Sequence, residues 1–308
     1  MTGAAGFIGS AVSARLLDSG YAVVGVDNGC EPRHAAARAR LDRVEWIAAD
    51  VHTVDLVKLM RRCAHVVHLA GRPGVQTSWG SGFAGHLHDN TLMAQRVLEA
   101  AAVVGGTRVL LASSSSVYGD ISAGRAGEDW PLVPVSPYGV TKAALEMLMP
   151  AYIGRGVHVS ALRFFTAYGR GQRPDMALSR IIEAGLGGEP FEVRGSGTQA
   201  RDLTHVDDIA LAVAAAVRSP TPAGLAINIG TGRSTRLDEL ISMVGRQLGV
   251  DVPVVSTAPA PGDPARTAAD VTLAQRLLGW SAKTQLCDGI ADQIQHHTPL
   301  ARAARNVA

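Results

Sequence analysis

The first nine residues constrain the chain more than any later stretch. Gly3, Gly6 and Gly9 stand three apart in TGAAGFIGS, and an apolar helical pattern follows at once, with Ile8, Val12 and Leu16 on one face. A glycine run of this kind joins a buried strand to a helix. It lets the backbone come close to a diphosphate and aims the helix's first amides at it. Only Met1 and Thr2 precede Gly3, so the strand that should feed the loop has almost no sequence of its own.

The rest of the first half alternates. A helix is predicted over 7–19, capped by Gly20, then strands over 21–28 and 44–51, a helix over 53–63 and a strand over 65–71. Helices over 85–104 and 137–153 flank a strand over 108–116, and a strand over 157–165 follows. Such alternation implies βαβ units, hence an α/β fold with a doubly wound parallel sheet of Rossmann type. Ligands of such sheets lie at the carboxyl ends of the strands, where AGRPG, SSSSVYG and RFFTAYG all fall. Beyond residue 169 Gly and Pro become frequent, with helices predicted over 204–218, 236–248 and 271–278. We divide the chain into a dinucleotide-binding domain, 1–168, and a smaller substrate-binding domain, 169–308, with 204–230 returning to the main sheet through LAINIG.

Bulk properties narrow the partners. A chain of 308 residues, 47% hydrophobic, can bury a sizeable core. Its formal charge of +2 gives no footprint for nucleic acid. Cys30, Cys63 and Cys287 are far apart and odd in number, which suits reduced thiols in the cytoplasm. No apolar run reaches the length of a membrane span, and no secretory signal pattern opens the chain. His65, His68, His86 and His88 show no metal-ligand spacing, and no metal is expected.

Asp27 ends the second predicted strand, about 20 residues beyond the glycines, where a carboxylate accepts from ribose hydroxyls and repels a 2′-phosphate. That favours NAD over NADP. Asp50, at the end of the next strand, either accepts from the adenine amino group or caps a helix. Tyr138 and Lys142 share a helix face at i and i+4. A phenol with a pKa near 10 is no base at pH 7, and a neighbouring ammonium lowers that value. Lysine occurs at only three positions in the chain, 58, 142 and 283. Four serines, 113–116, offer a hydroxyl to hold the substrate oxygen.

TGAAGFIGS, Asp27, SSSSVYG and SPYGVTK, in this order and spacing, resemble the extended short-chain dehydrogenase/reductases that act on nucleotide sugars. The likeness continues through RDLTHVDD, NIGTG and PGDPARTAAD. It implies Ser114, Tyr138 and Lys142 as the catalytic set. It implies NAD contacts from Gly3, Gly6, Phe7, Ile8, Gly9, Asp27, Asn28, Asp50, Val51, Leu69, Ala70, Gly71, Tyr138 and Lys142. Dehydratases of the group carry Asp-Glu directly after the serine or threonine, and decarboxylases a Glu one position later. Ser115 and Ser116 stand here, so no carboxylate is present for a second acid–base step, and 4-epimerisation is the outcome that remains.

RFFTAYGRGQRPDMA resembles the corresponding segment of UDP-glucuronate 4-epimerases. Thr166 and, seven residues on, Arg173 are then the clamp for a sugar carboxylate, although Arg173 also fits a phosphate or a surface role. The UDP-sugar contacts implied are Ser78, Ser114, Ser115, Ser116, Tyr138, Thr166, Arg173, Arg201 and Arg266. Arg201 and Arg266 either reach the diphosphate or pair with Asp202 and Asp270. Asp207 and Asp208 read as helix caps, and Asn90 as an organiser of the active-site backbone. Gln76 stands where the group has arginine. The likeness also implies a homodimer built through 85–104 and 137–153. Three rivals stay open: a UDP-hexose epimerase, a decarboxylase, and a catalytically silent NAD-binding sensor.

In this group an apolar strand ending in Val precedes the loop, central in a 3-2-1-4-5-6 sheet, and Met1 takes that valine's place. A missing central strand would leave two neighbours unpaired. The expectation is therefore that the folded chain extends before Met1.

Overall fold

The structure is a computed structural model and describes residues 1–305. Strands β1 (Val24–Asp27), β2 (Glu45–Ala48), β3 (His65–His68), β4 (Arg108–Ser114) and β5 (His158–Phe164) are parallel, in the sequence β2-β1 on one side and β3-β4-β5 on the other. β1 and β3 do not close on each other. The extended residues Met1–Gly3 lie between them, and Thr2 bridges both Val26 and His68. Four bonds complete the stitch: Thr2 N–H to Val67 (3.0 Å), Leu69 N–H to Thr2 (3.2 Å), Gly3 N–H to Val26 (2.9 Å) and Val26 N–H to Met1 (2.8 Å). Residues 1–3 thus stand where the first strand of the 3-2-1-4-5 order runs, paired on both sides.

Helices cover both faces. They are α1 (Phe7–Asp18), α2 (Pro32–Arg40), α3 (Leu56–Met60), α4 (Gly82–His86), α5 (Met93–Val104) and α6 (Pro137–Ile153). The glycine predicted to follow α1, Gly20, has φ +85°, a left-handed value that favours glycine. α2 carries no apolar stripe for periodicity to find; its sequence signal is Pro32 in the first turn. The single helix predicted over 85–104 is instead α4, a π-helical turn at Leu87–Leu92, and α5.

Beyond residue 165 lie β6 (Thr166–Tyr168), α7 (Ala177–Gly185), β7 (Phe191–Arg194), β8 (Ala200–His205), α8 (Val206–Arg218), β9 (Ala226–Ile229), β10 (Ser234–Arg236), α9 (Leu237–Leu248), β11 (Val254–Thr257), α10 (Thr272–Leu278) and α11 (Leu286–Arg305). The helix predicted from 204 begins two residues later, because 200–205 pair as a strand with β6 and β10. β9 pairs with β5, so the chain does return to the main sheet, and α8 packs on α1. Leu178, Ile181, Ile182, Phe191, Leu240, Val244 and Ile290 form a separate core outside that sheet. Among the described residues no helix is long and apolar enough to cross a membrane.

One buried polar network ties the main elements together. Glu146 of α6 forks Arg163 of β5, with Nη2–Oε2 at 2.8 Å and Nε–Oε1 at 3.0 Å, and both side chains are buried. Ser113 of β4 donates to the same carboxylate. Arg163 also donates to Tyr118 (2.6 Å), which donates to Asn228 of β9 (2.8 Å). Glu146→Gln removes the partner of a buried guanidinium and is expected to destabilise the fold by about 3–5 kcal/mol. A urea melt in which this variant matches the wild type would contradict that weight.

Candidate active site

Packing, as well as chemistry, fixes the glycine loop. A Cβ on Gly9 would sit 1.9 Å from the Gly3 carbonyl oxygen, and one on Gly3, at φ +65°, would sit 2.6 Å from Ala70 N. Gly6 is the N-cap of α1 and offers no capping side chain. The helix therefore presents its first-turn amides, Phe7, Ile8 and Gly9 among them, to whatever anion enters. Asp27, buried at the end of β1, accepts from Ala5 N (3.0 Å) and Gly29 N (2.8 Å), so it also pins this loop. His34 Nδ1 stands 3.1 Å from the same carboxylate. A glycine cradle that a side chain would fill, an open helix start and a buried acceptor fit a dinucleotide. Gly9→Ala should yield protein without bound NAD; full NAD content after acid release would refute the packing account.

The loops that follow β1 and β2 are built by turns. Asn28 donates to Asp50 (3.3 Å), and Asp50 accepts from His52 N (2.8 Å), with buried Val51 between them. Asp50 therefore organises a loop and does not cap α3; that cap is Asp55, which accepts from Lys58 N (2.9 Å). Leu69 and Ala70 hold the Thr2 backbone and hydroxyl. A Cβ on Gly71 would meet Asn90 Oδ1 at 2.7 Å, and Lys142 Nζ lies 3.6 Å from the same point. Asn90, carried by the π turn, accepts from Arg72 N (2.8 Å) and donates to Arg72 O and Thr141 (both 3.0 Å). It orders this backbone as expected.

Ser114, Tyr138 and Lys142 meet at the carboxyl end of β4. Ser136 caps α6 by accepting from Gly139 N (3.1 Å), which fixes the first turn bearing Tyr138. Ser78 is fully buried, donates to Val75 O (2.6 Å) and accepts from Tyr138 N (3.1 Å). It holds the tyrosine's backbone. The Ser114 hydroxyl donates to Ser116 Oγ (3.2 Å), accepts from Ser116 N (3.1 Å) and favours ionisation of the Tyr138 phenol, with Ser115 buried beside it.

Lys142 is anchored on the strand beneath it. Its ammonium donates to Ala112 O (2.9 Å), and burial lowers its pKa to about 8 against the pull of Glu146. Burial raises the Tyr138 phenol, while the Ser114 hydrogen bond and the Arg173 charge work the other way. Arg173, on the loop after β6, adds a positive charge whose field reaches the phenol. Sequence reasoning missed this, because only the tertiary fold brings Arg173 within electrostatic range of Tyr138.

Arg173 lies on the loop after β6, its side chain mostly covered, and its Nε donates to Asp175 (2.8 Å) in a two-point fork. Thr166 opens β6, half-buried, in register with Leu203. Arg201 pairs with Asp263, and Arg266 donates to Ile121 O (3.2 Å) and Gly124 O (2.7 Å). Neither takes the partner considered from sequence. Asp202 instead accepts from Thr231, Gly232 and Ala269 amides, and Asp270 caps the turn at Thr272. Gln76 donates to Pro261 O (3.3 Å). The helix-cap reading of Asp207 and Asp208 also shifts. His205 caps α8, Asp207 pairs with Arg170, and buried Asp208 holds the amides of Lys283 and Thr284.

A family model described as the NAD dependent epimerase/dehydratase family matches residues 1–230. The chain belongs to that family and is an NAD-dependent enzyme of the epimerase type. It is 34% identical to an uncharacterized UDP-glucose epimerase, YtcB, of Bacillus subtilis, over 97% of this chain and 98% of the relative. It superposes on the UDP-glucuronic acid 4-epimerase of Bacillus cereus, solved with UDP-glucuronic acid and NAD, with a TM-score of 0.93 and 36% identity over 97% and 98% of the two chains. MoeE5, solved with UDP-glucuronic acid and NAD, gives 0.90 and 42% over 97% and 98%.

Proposed function

We propose that the protein interconverts UDP-glucuronate and UDP-galacturonate. The observation that carries this reading is the Arg173 fork, placed in the same cleft as Tyr138 and close enough for its charge to act on the phenol. An arginine fork matches a carboxylate bidentately, and Thr166 adds a hydroxyl. Residues 1–168, with 204–230, act as the cofactor half, and 169–308 supply most of the sugar side.

Tyr138 takes the proton of the sugar 4-hydroxyl while Ser114 holds that oxygen. Lys142, anchored on Ala112 O, faces the ribose next to the reacting ring. When bound, NAD accepts the hydride from C4 and gives it back. Gly3, Gly6, Phe7, Ile8, Gly9, Asp27, Asn28, Asp50, Val51, Leu69, Ala70 and Gly71 line its site. The 4-keto uronate is a β-keto acid, and it loses carbon dioxide when its C–CO₂ bond aligns with the carbonyl π system. Arg173 and Thr166 hold the carboxylate out of that alignment. Ser115 and Ser116 supply no carboxylate for elimination. After the keto sugar turns over, Tyr138 returns the proton and the C4 epimer results. Arg201 and Arg266, at the β8 side of the cleft, bind the UDP moiety.

Incubation with UDP-glucuronate should give UDP-galacturonate. Release of carbon dioxide with a UDP-pentose would overturn the reading, and so would turnover of UDP-glucose alone. Tyr138→Phe should abolish turnover and keep bound NAD. Arg173→Met should lower kcat/KM for the uronate about 10²-fold, the loss of one side of a buried charge pair.

The same reading includes a homodimer in the cytoplasm. Leu92, Val103, Val140 and Met147 are exposed along α5, α6 and the π turn, with Met147 70% exposed, and the three cysteines are free. Met147→Asp is expected to halve the mass seen by sedimentation; an unchanged mass places the interface elsewhere.

A further inference from the structure

The Arg173 fork already holds a carboxylate, and that carboxylate is the chain's own. Asp175 sits two residues on, in a turn closed by Met176 N–H to Arg173 O (3.1 Å). Its two oxygens take Nε and Nη2 of Arg173, the same atoms a sugar carboxylate would take. The loop backbone is fixed independently. Gln172 donates to Ala167 O (2.9 Å) and accepts from Ser179 (3.0 Å) and Gln293 (2.8 Å). The pair can therefore open by side-chain rotation alone. Asp175 is more than half exposed, while Arg173 is mostly covered, so Asp175 is the member free to leave.

A second cation waits nearby. Arg33, from the first turn of α2 in the cofactor half, pairs through Nη2 with Glu31 (2.5 Å). Its Nε and Nη1 are buried and have no hydrogen-bond partner among the described residues. Arg33 feels the charges of both Arg173 and Asp175 across the cleft. No sequence motif pointed to it.

We propose that Asp175 is a specificity-determining residue: it occupies the Arg173 fork until a sugar carboxylate displaces it, and the displaced side chain passes to Arg33. This rests on the uronate reading above. A uronate exchanges one carboxylate for another at the fork. A neutral hexose offers nothing to drive Asp175 out. Specificity then comes from an internal competitor as well as from an attractive contact.

The test is calorimetric binding of UDP-glucuronate and UDP-glucose to the NAD-loaded protein, in wild type, Asp175→Asn, Arg33→Ala and the double variant, with folding checked by circular dichroism. Removing a partly exposed competitor should tighten UDP-glucuronate about two- to fivefold, the scale of such a pair, and leave UDP-glucose within about twofold. Arg33→Ala should weaken the uronate only while Asp175 is present, a non-additive result. Weaker or unchanged uronate binding in Asp175→Asn, equal shifts for both sugars, or additive effects of the two substitutions would each overturn the exchange. The product assay judges the function separately. A wild type that binds the uronate without epimerising it defeats that reading, while the binding comparison still decides the role of Asp175. No uronate binding at all defeats both.

Discussion

The catalytic geometry hangs on one buried ion pair. Glu146 lies one helical turn beyond Lys142 and two beyond Tyr138 on α6, and its partner Arg163 lies near the carboxyl end of β5. Further bonds of the pair run to Ser113 on β4, to Glu128 O and, through Tyr118, to Asn228 on β9. Every element that carries Ser114, Tyr138 or Lys142 is therefore tied to one desolvated pair. Such a pair is weak evidence for net stability, yet breaking it is expensive. Its value here is register. A slip of α6 along the sheet would separate Glu146 from Arg163 as it moved Tyr138 off Ser114.

The glycine loop imposes the second constraint, and it acts on the cofactor side. Gly3 and Gly9 approach within the space of one methyl group, and Thr2 stitches β1 to β3 on the edge that a full strand would otherwise cover. The Thr2 hydroxyl also bonds His68 Nδ1 (2.7 Å), a buried imidazole whose pKa falls to about 3, chiefly by desolvation. At neutral pH that ring is uncharged. Among the described residues, Met1 to Gly3 make that joining between β1 and β3.

Much of this was legible in the sequence where the signal is local. The glycine spacing, the strand–helix alternation, the Tyr138–Lys142 turn and the serines at the end of β4 each depend on residues a few positions apart. What stayed illegible depends on distance along the chain. Arg201 finds Asp263 and Arg266 finds the carbonyls at 121 and 124, pairings that local sequence leaves open. Asp50 reads as a helix cap because a helix follows, but Asp55 lies closer to the helix start and takes that role. α2 escapes because it is arginine-rich and covers little of the core. The i,i+4 rule placed Lys142 on the correct face, and only the sheet beneath decides that its ammonium turns to Ala112 O.

That last point changes how the base must work. With Lys142 anchored on a strand carbonyl, Arg173 is a further cation whose charge acts on the phenol. A guanidinium left bare there would favour the phenolate but would stand unpaired in a covered cleft. Asp175 covers it in the resting protein, and a uronate would cover it in the complex. Either way one carboxylate neutralises Arg173, so the field at Tyr138 changes little when the substrate arrives. A clamp that exchanges like for like can select an acidic sugar without retuning the residue that takes its proton.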